Sequence, residues 1–479
     1  MITAFRANAR DHRASVLVAA LSSAFGVALL ATTNVLSAYI RSTELGASKT
    51  VTIVLAIVAG IFFVIAVYVG AIVTTNTFAT VIAGRTRTIA LLRLIGSSAT
   101  AQRRSVAGEG LAVGLIGAVA GGAAAAVLAL VAVRGFTAAG VLPDLQYPVL
   151  TPVLIVPVAA VVLTTWLASW VGSRRVLTVT PIQALGAAQE RPAETVRSRA
   201  RVTVSLVLLL PGVVLLVAGV LLGLGAFDGT GIVVLIELGP YGVLVAMLGG
   251  ILSFTGIILA APLFLPAVLR LVGMAFSRDA AGRLAAANAV RNPERSSRTA
   301  IGLVIGVTLV TMFVVAIQSW LEMIRAAARN EPELYAGTES VLMVTMLVFS
   351  VLVGFSALIA AVGVVNSLSL SVLQRRRELG LLRALGLSAA QVRKMILAES
   401  VQLTVAAVLT GLVLGTAYGW IGAQALLGQI PGGGLVVPAV PWLFLALIVV
   451  AAAVLAVGAS IAPTRRATRV SPVEALAVE

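Results

Sequence analysis

Four polar side chains lie where the surrounding sequence leaves little room for water. Asn76 and Asn366 each sit in a long apolar run, nine residues before the first arginine of a basic cluster. On a helix that separation is about 13 Å at ~1.5 Å per residue. An amide at that depth seeks an interhelical hydrogen bond, either as packing glue or as a conformational switch. Glu109 and Glu399 open apolar runs behind the basic pairs Arg103–Arg104 and Arg393–Lys394. An ionisable group at the start of a span is a functional candidate, and an ion pair with a neighbouring arginine is an equally good account.

Other reactive chemistry is scarce. The chain has no cysteine, so it has no disulfide framework and no thiolate. The single histidine, His12, lies among Arg10, Asp11 and Arg13 and reads as a solvated or headgroup-facing residue. No nucleophile–histidine pairing or metal-ligand cluster is legible. No segment has the form G-x-x-x-x-G-K-[ST], so the chain is expected not to hold ATP by itself in the usual way. The expectation is a protein with no catalytic residue, no metal and no cofactor of its own.

The elements that must carry these residues are membrane spans. Of 479 residues, 60% are hydrophobic and 11% charged, against roughly 25% charged in soluble domains. Neither Val51 to Ala83 nor Ser340 to Gln374 contains a charge, and a spanning helix needs only about 20 apolar residues. Spans are predicted near 14–40, 51–83, 105–133, 149–172, 203–226, 240–269, 299–321, 340–374, 395–425 and 438–463. The first is far longer than the ~7–15-residue core of a signal peptide and is expected to be retained. The net charge of +16 is distributed asymmetrically. All lysines and arginines except Arg41, Lys49, Arg134, Arg325 and Arg329 fall on one side of these spans. By the positive-inside rule that side is cytoplasmic and holds both termini. The arginines there suit anionic lipid rather than nucleic acid.

The chain also repeats itself. Residues 75–125 align without gaps on 365–415, pairing Asn76 with Asn366, Arg85 with Arg375, Arg87 with Arg377 and Leu91–Leu92–Arg93 with Leu381–Leu382–Arg383. Gly96 pairs with Gly386, Arg103 with Arg393, Glu109 with Glu399 and Gly121 with Gly411. Low complexity cannot align Asn, Arg, Gly and Glu in this way. Four spans per half, with two between, make the repeats parallel. The predicted organisation is a first unit over 1–186, an inserted pair of spans over 187–283 and a second unit over 284–479. Gly117 with Gly121, and Gly411 with Gly415, are small-xxx-small pairs suited to close helix packing, with a gating hinge as the lesser reading.

Within the repeat, 84–95 and 374–385 are predicted to be short amphipathic helices. Ile89, Leu92 and Ile95, and Leu379, Leu382 and Leu385, share a face by their spacing of three. Gly96 and Gly386 are expected to end them in the left-handed conformation. Ser98 and Ser388 should then cap the next helix, Ser388 with Gln391 completing a capping box. Such a helix can simply lie in the headgroups. Its duplication with the same Arg and Gly positions favours docking of a cytoplasmic partner. The halves differ, because Thr88 stands where the second copy has Glu378.

At these residues the chain resembles the FtsX/MacB-type permeases of ABC transporters. The motif runs N-S-L-S-L-S-V-L-Q-R-R-R-E-L-G-L-L-R-A-L-G-L-S-A-A-Q-V-R-K-M from Asn366 to Met395. Asn288 to Thr299 is similar to the family's approach to the first span of a unit, and Pro472 to Leu476 to its closing motif. Two units in one chain resemble the ten-span, BceB-like arrangement, but Glu322 to Glu339 leaves no room for the large extracellular domain of those relatives. The resemblance implies an all-α polytopic permease of a bacterial plasma membrane. It implies a separate cytoplasmic ATPase that holds ATP and Mg, whose hydrolysis drives helix motion acting on an amphiphilic substrate such as a lipid, lipoprotein or peptide at the outer face. The alternative is a non-transporting transducer of an external hydrolase or signalling partner. The docking residues implied are Arg85, Arg87, Ile89, Leu92, Arg93 and Ile95 in the first unit. In the second they are Arg375, Arg377, Glu378, Leu379, Leu382, Arg383 and Leu385. Two docking helices imply two ATPase subunits, identical or different, per chain.

The orientation has a direct check, since any introduced cysteine is unique. In sealed cells a cysteine at position 331 should react with a membrane-impermeant thiol reagent and one at 384 should not. Reaction at 384 alone would reverse the topology.

Overall fold

A computed structural model describes residues 9–42, 86–140, 142–174, 199–226, 241–276, 280–291, 293–333, 376–428 and 434–469, with scattered positions in 57–75 and 346–365. Regular structure among these residues is helical. In hydrocarbon a peptide group finds no water, so each span must satisfy its own backbone, and a helix does this within one segment.

The helices are α1 (Ala9–Arg41), α2 (Thr86–Leu94), α3 (Ala99–Ala138), α4 (Ile155–Gly172), α5 (Arg199–Gly223), α6 (Gly242–Phe276), α7 (Ala280–Arg291), α8 (Pro293–Asn330), α9 (Arg376–Ala384), α10 (Ala389–Leu427) and α11 (Trp442–Arg469). A 3₁₀ turn, Pro152–Leu154, leads into α4. Eight of them (α1, α3–α6, α8, α10 and α11) are long and apolar enough to cross a membrane, and each falls on a predicted span. The predicted spans 51–83 and 340–374 lie mostly outside the described residues, although Phe63–Ile72 is a shorter apolar helix. By contact the chain divides into Met1–Gln189 with Ala336–Val362, and Glu190–Tyr335 with Gly363–Glu479.

In the first unit α1 packs on α3 and α4. The contact is built from small residues: Ala19 with Ala118 and Val161, and Ala24 and Ala28 with Ala125. At Gly121 the backbones come so close that a Cβ would collide with the backbone of Ala20. The seam is also tied by the Ser23 hydroxyl, which donates to the Ala118 carbonyl at 2.7 Å. Lipid tails are as apolar as Leu, so close van der Waals contact and such hydrogen bonds hold the spans together.

In the second unit α8 takes the central place. Over its most apolar window 83% of the residues are buried, against 22% for α5 and α11, which present most of their surface outward. α8 packs on α10, the counterpart of the α1–α3 pair, and a Cβ at Gly411 would lie 2.8 Å from Val307. α6 lies on α5 and also reaches α10. It carries Pro262 and Pro266 in its interior, which spans tolerate because neighbouring groups satisfy the freed carbonyls.

The seam predicts a graded response to bulk. Gly121→Leu should lower the melting temperature of the detergent-solubilised protein by several degrees, as overpacking costs about 1–3 kcal/mol. Gly135→Leu, on the same helix with nothing within 4 Å, should leave it nearly unchanged. Equal behaviour of the two would refute the close approach.

Candidate functional site: paired helix–turn elements

Each half contains the same local construction. α2 ends at Leu94 and Gly96 follows with φ +100°; α9 ends at Ala384 and Gly386 follows with φ +101°. A residue with a Cβ is strained there, which is why glycine recurs. The Ser97 amide donates to the Leu92 carbonyl at 2.9 Å, and the Leu387 amide to the Leu382 carbonyl at 3.1 Å. These are the long bonds of a Schellman turn, which satisfy helix-end carbonyls. Two residues later the Ser98 hydroxyl accepts from the Ala101 amide at 3.1 Å, and the Ser388 hydroxyl from the Gln391 amide at 3.2 Å. Only the second copy closes the box, as the Ser388 amide donates to Gln391 Oε1 at 2.9 Å.

The second element is better supported in other ways too. Glu378 lies in the first turn of α9 and Arg383 in the last, both favourable to the helix dipole, whereas the first turn of α2 has no acidic residue. Leu387, just past the turn, joins Leu379 and Leu382 against Val392, Met395 and Ile396 of α10 and Ala285 of α7. Ser97 occupies the same place in the first copy and cannot make that apolar contact.

Burial corrects the expected apolar face. Ile89 and Leu379 are buried, at 5% and 2% exposure, and so face their own unit rather than a partner. Leu92 and Leu382 are half-buried. The exposed apolar surface is Leu91, Leu94 and Ile95 in one copy and Leu381 and Leu385 in the other, with Ile95 81% and Leu385 72% exposed. The reason is geometric: the 379/382 stripe is needed to seat the short helix on α10, which leaves the adjacent 381/385 stripe open.

Of the remaining sequence candidates, Asn76, Asn366, Arg85 and Arg375 lie outside the described residues, as do the side chains of Arg87, Arg93 and Arg377. Glu399 is buried in α10 at 5% exposure, and Glu109 is half-buried in α3. Gly121 and Gly411 mark the close approaches already described. Arg103, one of the basic residues ahead of Glu109, stacks on Trp170 of α4 at 4.0 Å, and its guanidinium donates to the Ser173 hydroxyl at 3.3 Å. The sequence reading missed this tie and the polar seam beside Glu399. There the Ser460 hydroxyl donates to that of Ser400 at 2.9 Å, and fully buried Gln402 donates to the Leu269 carbonyl at 2.7 Å. A glutamine between Val401 and Leu403 in an apolar run was the available signal.

The described residues thus form a helical membrane protein with a duplicated helix–turn–long-helix element. The model of the FtsX-like permease C-terminal domain matches residues 60–181 and 350–472, two segments displaced by the same interval as the repeat. The chain belongs to the FtsX-like permease family, the ABC-transporter type that its repeated motif resembles. It is also similar to the uncharacterized ABC transporter permease YknZ of Bacillus subtilis, 29% identical over 150 residues. That match covers 31% of this chain and 36% of the relative's length.

Proposed function

We propose that this permease is the membrane subunit of an ABC transporter, and that α2 and α9 each dock one protomer of a cytoplasmic ATPase pair. The observation that carries the reading is the pair of equivalent elements, each presenting exposed apolar side chains at the tip of a capped, rigid turn. In water such side chains are costly, since burying a Leu stabilises by roughly 1.5–3 kcal/mol. A partner's groove is a fitting place for them, with the helix laid in it by its apolar face. Absence of a phosphate-binding loop from the sequence agrees with ATP and Mg being held by the partner.

Hydrolysis in that pair would shift the two turns, and α3 and α10 would carry the motion across the bilayer. The work at the outer face is the export or extraction of an amphiphile. The reading places the protein in a bacterial plasma membrane, and the arginine asymmetry supports an orientation with both termini inside. Residues 1–186 and 284–479 act as the two permease units, with α5 and α6 of 187–283 as an added pair. Two copies of one ATPase would meet unlike docks, as the second element alone has the full capping box and an acidic first turn.

The docking reading selects the exposed stripe for mutation. Leu381→Asp with Leu385→Asp should abolish permease-stimulated ATP hydrolysis by the copurifying ATPase, at least tenfold, while the protein still inserts and melts normally. Leu91→Asp with Ile95→Asp should do the same. Full stimulation in both double variants would rule out these helices as the docks.

A further inference from the structure

We propose that the groove between α6 and α7 is a binding site for one anionic phospholipid, held by Arg270 and Arg291. A cavity of about 430 Å³ opens there, lined by Arg270, Gly273 and Met274 of α6 and Ala286, Ala287, Val290 and Arg291 of α7. This falls within the ~300–1,000 Å³ typical of small-molecule sites. Its two cations face a lining without a carboxylate. Neither arginine makes a hydrogen bond or ion pair among the described residues, and both are exposed.

The site lies where a lipid headgroup would be. The apolar span of α6 runs from Gly242 to Ala275, so Arg270 stands near its end, and α7 follows as a short helix with Arg283 and Arg291 on its polar side. Guanidinium groups at that level form two-pronged hydrogen bonds to phosphate. Met274, 63% exposed, and neighbouring Leu271, 65% exposed, continue the apolar surface toward the bilayer and suit an acyl chain. Basic pockets between spans are a recurrent means of holding anionic headgroups.

Small residues create the space. A Cβ at Gly273 would lie 2.6 Å from Gln402 Nε2 and 3.0 Å from Ala286 Cβ, so α6, α7 and α10 meet tightly behind the groove. Ala285, next to the lining alanines, is fully buried against Leu379 and Met395. α7 thus touches the groove on one side and the base of the α9 element on the other, and a bound lipid would brace the dock. Assignment to the inner leaflet rests on the orientation proposed above; the binding itself does not.

The test is native mass spectrometry of the full chain in mild detergent with equal amounts of phosphatidylglycerol and phosphatidylcholine. Wild type should retain one phosphatidylglycerol in preference, and Arg270→Gln with Arg291→Gln should cut that retention at least fivefold. Ala287→Phe, which fills the groove, should act alike, and Arg134→Gln with Arg325→Gln should change nothing. Undiminished retention in the first double variant would overturn the proposal. So would displacement of the lipid by millimolar glycerol phosphate, which would mark a site for the free anion. Loss of the ATPase with lipid retention intact would overturn it as well, by making the groove a protein dock.

Discussion

In the core of a bilayer a peptide group has no partner but the protein, and one apolar side chain gains little by leaving lipid for another. Backbone satisfaction therefore makes the spans helical, and close contact must hold them together. The α1–α3 and α8–α10 pairs meet this constraint alike, with glycine and alanine where the backbones approach and bulkier Leu, Ile and Val elsewhere. Hydroxyl and amide side chains at Ser23, Ser400, Ser460 and Gln402 spend their hydrogen bonds on neighbouring helices rather than on solvent.

The same pairs explain how a small turn can matter at a distance. α3 has 40 residues and α10 has 39, each about 60 Å of helix at ~1.5 Å per residue. The hydrocarbon core is only ~30 Å thick. Each helix starts at a capped turn and continues without a break through the span, so it forms a rigid link between the proposed dock and the far side. The Schellman bonds at Leu92 and Leu382 fix the angle between the short helix and the long one. In the proposed mechanism, that fixed angle turns movement of a docked ATPase into movement of the span.

Much of this was legible in the sequence because special backbone needs leave special residues. The repeat placed Gly96 and Gly386 at the left-handed positions and Ser388 with Gln391 at the capping box, and the helices at 86–94 and 376–384 lie within the predicted ranges. What a single chain does not reveal is which of two adjoining apolar stripes its own body uses. Leu379 and Leu382 differ from Leu381 and Leu385 only in what α10 presents to them. Long-range ties such as Arg103 on Trp170 and Gln402 on the Leu269 carbonyl were hidden for a similar reason. Each joins residues far apart in sequence, and one partner is a ring face or a backbone oxygen that leaves no pattern.

In the proposed complex, duplication within one chain replaces dimerisation, so that a single permease carries both docks. The mass of the intact detergent-solubilised complex tests it most directly. One permease chain with two ATPase subunits is expected. Two permease chains with two ATPases would contradict it, because one dock on each chain would then be redundant.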